Sequence, residues 1–125
     1  MNMKIQLKLE ELAMFLVALH FVFISYSPWW VYLLLFIGPD IGMIGYAFNT
    51  RIGAFTYNIF HHKGLAIAIA FIGHFLLHSD PVMLAGIILF GHASMDRIFG
   101  YGLKYPDHFK HTHFGWIGGK EERTA

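Results

Sequence analysis

From Leu12 to Tyr101 the chain is almost entirely apolar, in long runs broken only by short polar clusters. That pattern limits the possible folds more than any single motif. The runs cover about 8–26, 28–48, 52–77 and 81–101, and at about 1.5 Å per residue roughly 20 helical residues cross a hydrocarbon core. Of 125 residues, 56% are apolar and 14% charged. A water-soluble domain of this size would have too little polar surface to cover so much apolar side chain. The expectation is therefore one all-α domain over 1–125, an integral membrane four-helix bundle with the bilayer as its first partner.

Local signals place the boundaries. Ser27-Pro28-Trp29-Trp30 opens the second span, where a Pro at the helix start and a Trp pair at the interface both fit. Pro39 predicts a kink just before Asp40. Asn49-Thr50-Arg51 makes a turn, and Lys63-Gly64 is a candidate break in the third span. Ser79-Asp80-Pro81 starts the fourth, with Asp80 as the expected cap. Lys4, Lys8, Arg51, Lys63, Arg97, Lys104, Lys110, Lys120 and Arg123 fall at the N-terminus, the second loop or the C-terminal tail. That asymmetry predicts both termini on the cytoplasmic side. The first apolar segment lacks a small-residue cleavage site after it and is expected to be retained. The tail, 102–125, is too polar to span, yet it carries Tyr105, Phe109, Phe114, Trp116 and Ile117 and is expected to fold back along the cytoplasmic face.

Several functions are excluded or disfavoured. A net charge of +1 with scattered Lys and Arg gives no nucleic-acid footprint. The absence of Cys removes disulfides, thiolate metal sites and cysteine nucleophiles. No Gly-rich phosphate loop, Gly-x-Ser-x-Gly or His-Glu-x-x-His occurs, and only Ser94 lies near the polar cluster described next, so a serine hydrolase is not indicated.

Ionisable groups inside a bilayer are costly unless they face partners or water, which makes each one a candidate functional residue. The second helix carries Asp40, the third Asn58, His61 and His62, and the fourth His92, Asp96 and Arg97. Counted along the helices, Asp40 lies about 12 Å, His61 about 15 Å, His92 about 14 Å and Asp96 about 8 Å from the cytoplasmic end. Helices of alternating direction thus bring their polar groups to about one level. His92 and Asp96 share a face at a spacing of four, Asn58 and His61 at three. Imidazole with carboxylate suits zinc, manganese or iron. The expected metal ligands are Asp40, His61, His92 and Asp96, supported by Asn58. Arg97 is expected to contact an anion, and His113 to serve as acid or base. His111 and His113, spaced by two on an extended segment, can close the site from the tail.

Plainer readings stand beside these. His92 and Asp96 can form a hydrogen-bonded pair that only fixes helix packing. Asp40 can satisfy donors freed at the Pro39 kink. His20, His74 and His78 lie in the outer half, where a packing or interface role is expected. Gly42, Gly45, Gly53, Gly86 and Gly91 read as close helix contacts. Haem is the alternative cofactor, with His20 paired to His74 and His61 to His92. A non-enzymatic accessory subunit, or an ion path through Asp40, His92 and Asp96, is the third reading. A homo-oligomer or a larger membrane complex is compatible with each.

Three blocks of sequence carry a family resemblance: Gly38-Pro39-Asp40 with Gly45-Tyr46; Arg51-Ile-Gly-Ala-x-Thr-Tyr-Asn58-x-x-His61; and Gly91-His92-x-x-x-Asp96-Arg97-x-x-Gly100-Tyr-Gly-Leu-Lys104-Tyr-Pro106, continued by Phe109-Lys-x-Thr112-His113-x-Gly115. Over nearly the whole chain they resemble a small bacterial membrane family catalogued as a domain of unknown function (4260). The resemblance implies a multi-pass protein of the bacterial inner membrane and marks the same polar positions, without supplying a reaction. A fainter likeness is to inner-membrane metal-dependent hydrolases, whose early His-Arg and Thr-His-Ser elements are missing here. That likeness is analogy alone. The leading reading from the polar cluster is a membrane-embedded metalloprotein that hydrolyses a lipid-borne ester or phosphoester at the cytoplasmic leaflet, with Arg97 or Lys104 holding an anionic head group.

Overall fold

A computed structural model describes residues 2–108, 110–112 and 115–117. It contains five α-helices: α1 Met3–Ile24, α2 Trp29–Ile37, α3 Thr50–His61, α4 Lys63–Phe71 and α5 Asp80–Ile98. A 3-10 helix, Gly38–Ala47, continues α2, and a π-helical stretch, Ile72–Leu76, continues α4. The tail adds a two-residue antiparallel pair, β1 His111–Thr112 with β2 Gly115–Trp116. The all-α expectation holds, with that small hairpin added.

Each change of helix type has a local cause. Pro39 has no N–H to bond the carbonyl of Leu35 and its ring crowds that carbonyl, so α2 cannot continue through it. The chain tightens into the 3-10 form, and Thr56 of α3 donates to the Gly42 carbonyl at 2.6 Å to hold it. The break in the third segment falls at His62, one residue before the expected Lys63-Gly64. His62 leaves the helical region at φ −85°, ψ 111°, and its ring accepts the N–H of Leu65 at 3.0 Å to cap α4. The cap of α5 is Ser79, whose hydroxyl takes the N–H of Val82 at 3.4 Å. Asp80, expected there, instead sits in the first turn, where its charge suits the helix dipole.

α5 is the central element, packing along α1 and α4 and touching α2 and the 3-10 helix. Glycines allow this closeness. A methyl group on Gly86 would strike the backbone of Ala66 and Ala70 in α4. One on Gly91 would meet Ala18 of α1 and Leu35 of α2. The interior holds small or polar side chains, including Ala18, Ala54, Ala66, Ala93, His61, His92 and Ser94, around a cluster of Val22, Val31 and Ile88. Large apolar groups face outward: Phe23, Trp29, Phe48 and Leu76 are all at least two-thirds exposed.

Among the described residues, Trp29–Ala47 is the helix long and apolar enough to cross a membrane. α3 and α4 with its π-helical extension, bent by 47°, make a second if the pair is one span. α1 and α5 have 22 and 19 residues, but α1 includes Lys4, Lys8, Glu10 and Glu11, and α5 includes Asp80, Asp96 and Arg97. Two of the cations counted above as flanking charges lie within the bundle. Glu11, buried, accepts from the Lys63 ammonium at 2.6 Å and lies 4.0 Å from Arg97, joining α1, α4 and α5.

The α4–α5 contact predicts an asymmetric response to small substitutions. Gly86→Ala should lose about 1–3 kcal/mol, the usual cost of overpacking a tight interior. Gly38→Ala, whose new methyl would meet only the flexible Leu34 side chain, should be near neutral. Reversible unfolding in mixed detergent micelles distinguishes them, and equal effects would contradict the packing described.

Candidate metal centre

The 3-10 helix supplies Asp40, the last residue of α3 is His61, and one face of α5 carries His92 and Asp96. One ligand atom from each lies within 4.8 Å of every other. The Nε2 atoms and carboxylate oxygens alternate around a common centre. His61 is 3.6 Å from Asp40 and 3.0 Å from Asp96, while His92 is 3.0 Å from Asp40 and 3.4 Å from Asp96. A tetrahedral ion with bonds of about 2.0–2.1 Å would set its ligands about 3.3 Å apart. The four His–Asp separations bracket that value.

Both imidazoles are oriented from behind. His92 Nδ1 donates to the Leu35 carbonyl at 3.0 Å, and His61 Nδ1 to the Tyr57 carbonyl at 2.9 Å. A carbonyl can only accept, so each Nδ1 carries a proton, which leaves Nε2 as the nitrogen that would present a lone pair to an ion at the centre. This is the arrangement typical of metal-ligating histidines, whose second nitrogen is held by a carbonyl or carboxylate. The Leu35 carbonyl is available because Pro39, four residues on, has no N–H for it. The proline therefore frees an acceptor that His92 takes.

His61 Nε2 is buried and, among the described residues, makes no well-aligned hydrogen bond; its near neighbour is the Asp96 carboxylate at 3.0 Å. A buried polar atom without a partner costs free energy, and a cation at the centre would provide one. Two carboxylates and two neutral imidazoles carry a charge of −2, which a divalent ion balances. The group can hold a metal ion. His61, His92 and Asp96 are largely enclosed, whereas the Asp40 side chain is 46% exposed and forms the open side. An axial pairing of His61 with His92 across a haem does not fit: their ring centroids are 5.0 Å apart, edge to face, and both Asp carboxylates share the space between.

The other sequence candidates serve different contacts. Asn58 does not face the centre. Its amide donates to the Lys104 carbonyl at 2.8 Å and accepts the Lys104 N–H at 2.7 Å, tying the tail to α3. Lys104 bridges to Thr112, so the tail folds back as expected. Arg97 points its guanidinium to Glu11. The backbone of His111 is in β1, its side chain lies outside the described residues, and His113 does so entirely. His20, His74 and His78 are exposed and outside the cluster.

Tyr57 is the residue sequence reasoning missed. Its ring stacks on His61 at 3.8 Å and 8°, its hydroxyl lies 3.4 Å from Asp96, and the Lys104 ammonium sits 4.6 Å above it. Its spacing of four before His61 on one helix was the available signal. Glu11, at the start of the first apolar run, was also missed, although it shares a face with Ala18 and Val22 at spacings of seven and eleven.

With the geometry established, the family follows. Residues 4–117 match the family described as Domain of unknown function (DUF4260), and the chain belongs to it. No curated protein and no solved structure matches the chain, so the likeness to inner-membrane hydrolases gains no support.

Removing the cause of the freed carbonyl should weaken the site without touching a ligand. Pro39→Ala restores an N–H that competes for Leu35, and loss of such a supporting contact usually costs 10–100-fold in metal affinity. Competition against a fluorescent zinc chelator measures it, and unchanged affinity would refute the role assigned to Leu35.

The tail contact carries its own pH dependence. Burial pushes the Lys104 ammonium down to about 8 from its usual 10.5, with the Asp96 carboxylate opposing the shift. Between those values the folded chain holds fewer protons than the unfolded one, so stability rises with pH across the window. Relative to Lys104→Met, the wild-type unfolding midpoint should climb between pH 8 and 9.5. A parallel pair of profiles would contradict this.

Proposed function

We propose that this is a membrane-embedded metalloprotein in which Asp40, His61, His92 and Asp96 hold one zinc, manganese or iron ion, and that it hydrolyses a lipid-borne ester or phosphoester at the cytoplasmic leaflet. The observation that carries the metal reading is the convergence of four ligand atoms within 4.8 Å, with both Nδ1 atoms held from behind. The membrane reading is supported by a surface of large apolar side chains around a small and polar interior, which is the distribution lipid favours. On this reading α1 and α5 cross the bilayer with their charges turned inward, giving four spans and both termini in the cytoplasm of a bacterial cell.

A divalent ion bound there supplies Lewis acidity and lowers the pKa of a bound water toward neutrality. The chain's own residues do the rest. Tyr57 and the Leu35 carbonyl keep His61, His92 and Asp96 in place. Asp40, on the open side, is the ligand positioned to yield to water or to take up its proton. Lys104, rather than Arg97 with its Glu11 contact, is assigned to an anionic head group, and His113 to acid–base work from the tail.

Elemental analysis of protein purified in mild detergent without chelator tests this first. About one equivalent of metal is expected in wild type and in Arg97→Gln, with little in His92→Ala or Asp96→Asn. Metal affinity should fall as the pH drops, because protons compete with the ion for the ligand atoms. Protein that never takes up a stoichiometric ion would sink the metal reading. A loaded protein inert toward lipid esters and phosphoesters would sink only the hydrolase.

A further inference from the structure

At the other end of the bundle, away from the metal centre, α1, α2, α4 with its π-helical extension and α5 enclose a cleft of about 800 Å³. That is the size of a small-molecule site. From Asp80 to Ile87 along α5 it runs roughly 10 Å. Its deeper wall is apolar, with Val31, Ala70, Leu84 and Ile87, and its mouth carries the polar lining residues Ser25, Ser27, His74 and Asp80. No Lys or Arg lines it.

The mouth is rich in acceptors. The Ser25 hydroxyl lies 2.6 Å from the Val22 carbonyl, which can only accept, so its proton goes there. Ser27, also 2.6 Å from Ser25, must then donate to it and keeps its own lone pairs free. Asp80 adds a carboxylate without a described hydrogen-bond partner, and His74 offers one ring nitrogen when neutral. A phosphate or carboxylate head would meet negative charge and no cation. A head with hydroxyl protons would meet the acceptors of the lining residues Ser27, His74 and Asp80.

Two further features frame the opening. His74 lies on the π-helical stretch, a form found mostly as single turns at functional sites. The turns at this end hold Tyr26 at φ 54° and His78 at φ 48°, non-glycine residues in the left-handed region. Such local strain concentrates where ligands bind.

We infer that this cleft binds an uncharged amphiphile, a hydrocarbon chain ending in a hydroxyl-bearing head, with the chain between α2, α4 and α5 and the hydroxyl among Ser27, His74 and Asp80. The site is independent of the metal centre.

Detergent-solubilised protein, with and without chelator, is titrated with geranylgeraniol, with geranylgeranyl acetate and with lysophosphatidylglycerol, following the thermal unfolding midpoint and native mass spectra. The alcohol should bind saturably and raise the midpoint by mass action, equally in both metal states, whereas the acetate and the anionic lipid bind at least tenfold more weakly. Asp80→Ala and His74→Phe, both at exposed positions, should each weaken the alcohol about tenfold, the effect of losing one good hydrogen bond. Ala70→Leu should block the chain. Equal binding of all three amphiphiles would reduce the cleft to a lipid-filled groove and overturn the inference. So would alcohol binding that the two mouth variants leave unchanged, or no binding at all.

Discussion

A proline four residues after Leu35 leaves that residue's carbonyl without its helical donor, inside a bundle where little water can replace it. His92 donates to it at 3.0 Å from the neighbouring α5. Much else depends on this contact. It fixes the ring of His92 so that Nδ1 faces Leu35 and Nε2 faces Asp40, the residue immediately after the proline. It also holds α5 at the depth where Gly91 fits between Ala18 and Leu35. Backbone break, ligand orientation and helix packing share one cause.

The same logic governs the remaining polar groups. In a medium of low dielectric an isolated charge is too costly to keep, so charges gather where each satisfies another. The described residues contain two such gatherings. Glu11, Lys63 and Arg97 form one, with two cations against one anion. Asp40, Asp96, His61 and His92 form the other, with two anions and, when the imidazoles are neutral, no cation. The first holds helices together and uses up most of its own charge. The second keeps a deficit of positive charge at a point where four lone-pair-bearing atoms meet. That distinction separates a structural network from a site able to receive an ion.

How far the sequence revealed this depended on spacing. His92 with Asp96 was legible because four residues make one helical face, and Asp40 and His61 joined them once helix directions set their depths. An interruption at Pro39 was legible because the proline lacks the N–H a helix needs, but its form, a continuation in 3-10 geometry, was not. Asn58 was misplaced because a spacing of three from His61 gives a shared face but not an angle, and the Lys104 backbone captured its amide. Glu11 was hidden because a carboxylate at the start of an apolar run looks like a boundary, and only packing against α4 and α5 turns it inward. Asp80 lost the capping role to Ser79, since one side chain suffices and Ser79 already has the extended backbone a cap needs. Spacing along one helix can be read from sequence, but the choice among equivalent partners on different helices requires the fold.

The four ligands are unequal in a way that bears on function. His61, His92 and Asp96 stand on α-helices, mostly enclosed. Asp40 stands on a 3-10 helix, whose hydrogen bonds are poorer in geometry, and nearly half of its side chain is exposed. What restrains that segment is the Thr56 bond to Gly42 and the close approach of Gly45 to Gly53 and Ile52. A closed set of four protein ligands is the mark of a structural ion, and three with an exchangeable fourth position mark a catalytic one. Asp40 is thus the candidate ligand that belongs to a 3-10 segment and faces the open side, whereas both imidazoles and Asp96 stand on α-helices and are enclosed.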